Sequence, residues 1–333
     1  MLPELRCHDH LLPLVSDKKE YSPRAGESQY FLICSEGCQI PVVNGIPRFV
    51  LSDMYASAFG RQWNAFRKTQ LDSFTGTTIS KDRLTRLLGG SLNIEGKNIL
   101  EVGCGAGRFT EILLNAGANV FAADLSLAVE ANYENNKEYP NYFVCQADLL
   151  NLPVYPEQFD VVLGIGVVQH TPNPEKTIVT LCSYVKSGGI LIIDHYTYDY
   201  PVILSRRLLR SFLLRISVDF GLWLCKTLVA ILWPIHEVLW KYRDYRILDK
   251  LRSIFLYISP VVDYHDSYPQ LLPEHLRSWA ILDTHDTLTD VYKHLRNAEE
   301  ISNCLRECGM INIKTIYAGN GVEAWARKPV KPK

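Results

Sequence analysis

The run Asn98-Ile99-Leu100-Glu101-Val102-Gly103-Cys104-Gly105-Ala106-Gly107-Arg108-Phe109 constrains the fold more than any other stretch of this chain. An apolar strand runs into three glycines at alternate positions, and a helix begins at the third. Glycines in such a turn bring backbone close to a ligand where a side chain would collide. The helix that follows points its free N–H groups at whatever the turn holds. Asp124 ends the next apolar run, 21 positions after Gly103. That separation suits a carboxylate accepting both hydroxyls of a ribose. The stretch reads as a nucleoside site.

The spacing bears on which nucleoside. A dinucleotide turn reads G-x-G-x-x-G, its third glycine letting the helix pack under a pyrophosphate. Here the pattern is G-x-G-x-G, with Arg108 where that third glycine would stand. Glu101 adds a carboxylate beside the pocket, repelling a pyrophosphate and suiting a cationic ligand. Residues Glu101 to Gly107 resemble the first motif of class I S-adenosylmethionine-dependent methyltransferases of the type 11-like group. That cofactor carries an ammonium and a sulfonium. Two alternatives from other classes stay open: a nicotinamide-dependent oxidoreductase, and a non-catalytic partner or scaffold that kept the fold. Arg108 and Glu101 disfavour the first, and the retained run of glycines and aspartates disfavours the second.

Further along, apolar runs alternate with helical stretches. Ile99–Gly103, Val120–Asp124, Tyr142–Cys145, Phe159–Ile165 and Ile190–Ile193 read as strands, nearly continuous in apolar character as in a parallel sheet buried on both faces. Residues 107–115, 126–136 and 174–186 read as helices, with Ser126 as an N-cap and Gly188-Gly189 as the stop of the last. Residues 298–307 read as a helix stopped by Gly309, and 311–317 and 322–327 as strands joined by Gly319-Asn320-Gly321. The pattern is a doubly wound α/β sheet. The resemblance, which covers 96–199 and 298–328, implies a Rossmann-like, seven-stranded, mostly parallel sheet with an antiparallel terminal hairpin.

The family's later motifs follow in order. The resemblance implies that Asp148, in Gln146-Ala147-Asp148-Leu149, accepts from the adenine amino group while Leu149 packs on the ring. Phe159 to His170 resembles the fourth-strand motif, in which Gly164 and Gly166 let the methionine end lie against backbone. Lys186 to Ile193 is similar to the turn into the fifth strand. The implied cofactor set is Glu101, Gly103, Cys104, Gly105, Gly107, Asp124, Leu125, Asp148, Leu149, Gly164 and Gly166. An oxygen acceptor needs a base near the methyl group, for which His170 comes first, then His195 and Asp286.

The remaining segments flank this unit. Residues 1–50 carry Cys7, His10, Cys34 and Cys38, two close pairs of soft ligands such as build a tetrahedral zinc site. Their ending, Pro41-Val42-Val43-Asn44-Gly45-Ile46-Pro47, resembles the tail of a zinc-ribbon-like domain similar to the small tRNA-methyltransferase activator. A metal-binding ribbon and a degenerate one without metal both remain open. Residues 51–95 read as a helical lead-in whose Tyr55, Phe59, Trp63 and Phe66 stripe packs as core, with shielding of the nucleoside as the lesser reading. The methyltransferase domain takes 96–199 and 298–333, interrupted by a helical insertion or lid at 200–297.

In that insertion Phe220–Ile235 holds one charge, Lys226, and falls short of the roughly 20 apolar residues of a spanning helix. A buried helical cap is expected, with peripheral contact between its basic, tryptophan-bearing segment and a membrane as the rival. With 35 basic against 36 acidic residues, no global field draws nucleic acid. Nine scattered cysteines and no signal-like start suggest a cytoplasmic protein with reduced thiols, membrane-peripheral if the rival reading holds. The acceptor is expected to be a small molecule, a glycan or a lipid-linked intermediate, methylated on oxygen or nitrogen.

Overall fold

The computed structural model describes residues 3–17, 30–50, 52, 54–200 and 203–331. Near the amino terminus, β1 (Val15–Asp17), β2 (Tyr30–Ile33), β3 (Gln39–Val43) and β4 (Ile46–Pro47) form a four-stranded antiparallel sheet in sequential order. Three helices lead out of it: α1 (Ser57–Ala65), α2 (Asp72–Thr75) and α3 (Ile79–Leu87).

The main unit then alternates β5 (Asn98–Val102), α4 (Thr110–Asn115), β6 (Asn119–Asp124), α5 (Ala128–Asn136), β7 (Tyr142–Gln146), β8 (Phe159–Gly164), α6 (Pro174–Tyr184) and β9 (Val185–Tyr196). Four further helices follow: α7 (Leu204–Leu213), α8 (Val218–Lys241), α9 (Arg246–Ile258) and α10 (Pro273–Thr289). The chain closes with α11 (Ala298–Glu307), β10 (Ile311–Ala318) and β11 (Gly321–Arg327).

The seven strands β5 to β11 lie in the order β10-β11-β9-β8-β5-β6-β7. Strands β5 to β9 are parallel, while β11 runs antiparallel to both β9 and β10. The expected architecture is the observed one. Alternation along each strand feeds two cores: Ile99 and Val120 pack with Leu84 of α3 and Leu113 of α4, and Leu100 and Phe121 with Ile178 of α6 and Ile301 of α11. Strand order reverses between β5 and β8, and in an open α/β sheet a ligand crevice forms at the carboxyl ends of the strands flanking that point. The small sheet covers the outer edge of β7, where the Phe49 N–H donates to the Gln146 carbonyl at 2.8 Å and hides an edge that would otherwise invite pairing.

Three expectations change. The pair Gly188-Gly189 lies inside β9 instead of ending α6, which stops at Tyr184. A Cβ on Gly189 would meet the Phe159 and Asp160 carbonyls at 3.0 and 2.9 Å, so the pair lets β9 begin hard against β8, beside a register shift. Helix α5 starts at Ala128 with Leu127 at the cap, though Ser126 Oγ still accepts the Ala128 N–H at 3.2 Å. The apolar segment of the insertion is a 24-residue helix, α8, of which only one face is buried. It is not the buried cap that its short apolar stretch, with Lys226 as the one charge, suggested.

Candidate active site

Two clefts meet at the carboxyl ends of β5 and β8. The first, about 600 Å³, is lined by Tyr55 and Phe59 on one side and by Gly103, Asp124, Leu125, Asp148, Leu149 and Gly166 on the other. The second, about 850 Å³, shares Phe59, Trp63, Gly103 and Gly166 with it and extends towards the insertion.

The turn after β5 makes the junction. Gly103 has φ +59°, and a Cβ there would lie 2.2 Å from Val167 Cγ2. Strain and overlap together disfavour any other residue there. Gly105 N–H donates to Asp124 Oδ2 at 3.0 Å, while Ser126 N–H and Oγ donate to Oδ1 at 2.8 and 2.7 Å. Three donors thus fix the carboxylate at the mouth of the first cleft, two on Oδ1 and one on Oδ2, so that Oδ2 keeps acceptor capacity for a hydroxyl. Burial raises the Asp124 carboxyl and these donors oppose it. Asp148 accepts the Leu150 N–H at 2.9 Å and lines the same cleft, with Leu125 and Leu149 as apolar lining.

Glu101 is 4% exposed and accepts from Thr110 Oγ1 at 2.6 Å. Burial pushes its carboxyl up to about 8, against that hydrogen bond. A cation beside it would pull the value back down. Cys104 and Gly105 line the second cleft with Glu101. Gly107 and Gly164 line neither and serve packing: a Cβ on Gly107 would meet Asn136 Nδ2 at 2.5 Å, and one on Gly164 would meet Leu181 and Val102 at 3.3 Å.

The second cleft draws its walls from segments far apart in sequence. Arg83 of α3, Tyr196 of β9, Tyr264 and Tyr268 of the α9–α10 loop, and Trp279, Asp283 and Asp286 of α10 all line it. Burial, then the neighbouring Asp286, raises Asp283 to about 7. Arg83 is held by Asp194 at 2.6 Å and Glu323 at 3.2 Å. Arg108 donates to Ser80 Oγ at 2.8 Å and Gln70 Oε1 at 3.1 Å, and its Nη2 has no partner among the described residues.

His170 borders the first cleft, with Phe59 and Tyr196 edge-on to its ring at 5.2 and 5.3 Å. Its Nδ1 faces the Tyr292 carbonyl at 3.0 Å and Asp290 Oδ2 at 3.4 Å. Burial would lower its pKa, but Asp290, Asp286 and the Tyr292 carbonyl outweigh it, and the net shift is upward. Ligand atoms of His170, Asp286 and Asp290 all lie within 4.8 Å of one another. Arg210 at 2.8 Å and Lys293 at 3.2 Å pair with Asp290, which makes the group a salt-bridged positioning network. His195 stands apart. Alternation along β9 turns it away from Tyr196, its Nδ1 meets the Tyr196 carbonyl at 2.8 Å, and burial lowers it to about 4. It lines neither cleft.

The stripe Tyr55, Phe59 and Trp63 faces the clefts instead of the core, so the lesser of its two readings describes its position. Sequence reasoning missed Arg83, Tyr264, Tyr268, Trp279 and Asp290. For Trp279 and Asp290 the aromatic and acidic pattern on one face of residues 279–290 was a signal; Arg83, Tyr264 and Tyr268 had none. In the amino-terminal sheet, Cys7, His10, Cys34 and Cys38 converge with ligand atoms within 4.8 Å. The thiols lie 4.0, 3.8 and 3.2 Å from His10 Nδ1. Zinc–sulfur bonds near 2.3 Å and a zinc–nitrogen bond near 2.0 Å, set tetrahedrally, call for roughly such separations.

Residues 100–193 match a protein family described as a methyltransferase domain. The chain carries a class I, S-adenosylmethionine-dependent methyltransferase domain. Among curated relatives, the domain is 31% identical over 120 residues to a ubiquinone biosynthesis O-methyltransferase of Azoarcus sp., covering 34% of this chain and 51% of that protein. The enzyme of the same name from Coxiella burnetii is 28% identical over 116 residues, covering 34% and 49%. The chain spans about half the length of the curated relatives it matches. Among solved structures, a methyltransferase from Aquifex aeolicus aligns at 14% identity and TM-score 0.41, covering 81% of this chain and 96% of that one. Magnesium protoporphyrin IX methyltransferase from Synechocystis, solved with S-adenosylmethionine bound, aligns at 15% and 0.39, covering 75% and 78%. The first cleft fits this domain's cofactor: an anchored carboxylate in Asp124, a second acid in Asp148 and a glycine turn whose space a Cβ would fill, with the buried acid Glu101 next to it in the second cleft.

Proposed function

We propose that the chain transfers a methyl group from S-adenosylmethionine to an oxygen of a small-molecule acceptor seated in the second cleft. The observation that carries this reading is the junction of the two clefts at Gly103 and Gly166, with His170 and Asp286 beside it. The cofactor supplies a sulfonium methyl that is already electrophilic. The chain's task is to bind, align and exclude water. Asp124 and Asp148 hold the nucleoside, Glu101 favours the cationic end, and Tyr55, Phe59 and Trp63 cover the site. His170 takes the acceptor's proton on Nε2. Asp290 and the Tyr292 carbonyl orient its ring and raise its basicity. The relatives' name, which specifies O-methylation, supports an oxygen acceptor, and the aromatic walls Tyr264, Tyr268 and Trp279 favour an apolar body on it.

We read the chain as a ribbon (1–50), a helical lead-in (51–95), the split methyltransferase domain (96–199 and 298–333) and a lid (200–297). The ribbon binds zinc structurally through Cys7, His10, Cys34 and Cys38, in a cytoplasm that keeps thiols reduced. Metal analysis of the purified protein should find close to one zinc per chain. A Cys34→Ser, Cys38→Ser variant should lose it, and a well-folded metal-free preparation would refute the assignment. The test of the reaction is incubation with methyl-labelled cofactor and a cell extract split into lipid, small-molecule and polymer pools. Label should enter one of the first two with the wild type and not with His170→Ala. Label in the polymer pool alone would overturn the acceptor class.

A further inference from the structure

Helix α8 is apolar on opposite faces. Gly221, Leu222, Cys225, Val229, Trp233 and His236 are buried on the inner one, against α10 and α1. Phe220, Trp223, Ile231, Ile235, Val238 and Tyr242 stand on the other, between 41% and 65% exposed. At 100° per residue these six occupy about a third of the circumference, and they run the whole length of a helix roughly 36 Å long. The water-facing side of a surface helix ordinarily carries polar groups.

The neighbouring helices repeat the pattern. On α7, Leu204, Leu208 and Phe212 are 68%, 65% and 50% exposed at four-residue spacing. On α9, Ile247, Leu251, Ile254 and Ile258 are 76%, 48%, 53% and 57% exposed, again on one side. Three adjoining helices with uncovered apolar stripes exceed what isolated surface hydrophobics amount to, and such surfaces mark interaction sites.

Charge specifies the partner. Of the basic residues in this segment, Arg206, Arg210 and Arg252 turn inward, to the Pro260 carbonyl, Asp290 and Asp266. The others are exposed, and Lys241, Arg243, Arg246 and Lys250, against Asp244 and Asp249, leave the turn between α8 and α9 net basic, with none of the four in an ion pair among the described residues. Arg243 lies over the Trp240 ring, 3.8 Å from its centroid. Basic groups with aromatic and aliphatic side chains suit an anionic lipid interface.

By length and composition α8 is also enough to cross a bilayer. Its inner face excludes that, because buried His236 is tied to Asp263 at 2.7 Å and to Ser259 at 2.9 Å. We propose that the outer faces of α7, α8 and α9 dock on an anionic lipid leaflet, with α8 lying in the interface plane. Helix α10, beneath α8, carries Trp279, Asp283 and Asp286 of the second cleft, so one insertion faces lipid on one side and the acceptor cleft on the other. The docking stands without the methyl-transfer reading and is tested without cofactor or acceptor.

The experiment sediments the full chain with phosphatidylcholine vesicles, with and without phosphatidylglycerol. Binding should require the anionic lipid and weaken as salt rises. Trp223→Ser with Ile231→Ser, both on the exposed stripe, should cut the vesicle-bound fraction about tenfold, and Lys241→Gln with Lys250→Gln severalfold. Unchanged circular dichroism of both variants separates lost docking from lost fold. A chain that stays in the supernatant at low salt overturns the proposal. So does equal binding to neutral vesicles, and so does light scattering showing a dimer that the serine variant dissolves while vesicles are ignored.

Discussion

The two halves of the site are built in opposite ways. The first cleft centres on Gly103 and on the Asp124 carboxylate, which Gly105 and Ser126 N–H groups hold at no more than 3.0 Å, and its remaining walls come from 55–63, 147–149 and 166–171. The second comes largely from side chains spread between Phe59 and Asn320, brought together by α10 and its preceding loop. A site centred on a tight glycine turn and a carboxylate held by backbone N–H groups tolerates little substitution there. A site made of side chains on an inserted element can be rebuilt for another acceptor without disturbing the sheet. On the proposed reading, the contrast makes cofactor identity and acceptor identity separable properties of this chain.

The strongest way to break that contrast is at Gly103. Alanine there should weaken binding of S-adenosylhomocysteine about a hundredfold or more, through left-handed strain plus overlap with Val167. Calorimetry within tenfold of wild type would show that the turn yields, and that the first cleft is not the rigid half.

A paired substitution sharpens it. Asp124→Ala should cost about 1–3 kcal/mol of cofactor affinity, roughly five- to a hundredfold. Asp283→Asn, on the far wall of the second cleft, should leave that affinity within about twofold while lowering methyl incorporation into extract. Equal losses of cofactor affinity in both variants would mean that the clefts act as one site.

The smallest effect concerns His170. Its pKa is raised because neighbouring carboxylates, Asp290 first, favour the charged ring over the penalty of burial. The ring is therefore protonated below a midpoint higher than the ordinary imidazole value and becomes a base above it. Asp290→Asn removes one negative charge and should move the midpoint down by about one unit, read from the His170 ring proton by NMR titration. Movement upward, or none, would remove Asp290 from its positioning role.

How legible each half was follows from how it is built. The strand–glycine–helix turn, Asp124 and Asp148 were readable because their chemistry is local: the glycines, the acid and the strands between them sit at spacings that a parallel sheet imposes. Gly107 and Gly164 share the motif yet pack against Asn136 and Leu181, since spacing cannot say which way a position faces. His195 and Tyr196 make the same point, because one residue of register sends them to opposite sides of β9. The aromatic stripe of α1 was visible as periodicity, but a stripe reads the same whether it meets a core or a cleft. Likewise the nearly uncharged run in the insertion showed apolar content and not its distribution. Only the packing of α10 against one side of α8 decided which of its apolar residues are buried and which stand outside.

The sequence by itself therefore determined the doubly wound sheet, the strand–glycine–helix turn and which Cys and His side chains converge in the ribbon. These depend on local periodicity and on residue chemistry at short separations. Only the tertiary structure decided that Arg83, Tyr264, Trp279 and Asp286 share one cleft, that Asp290 stands behind His170, and that α8 keeps an apolar face outside. Those relations join positions up to some two hundred residues apart in the sequence. They arise from how helices pack, which no spacing along the chain encodes.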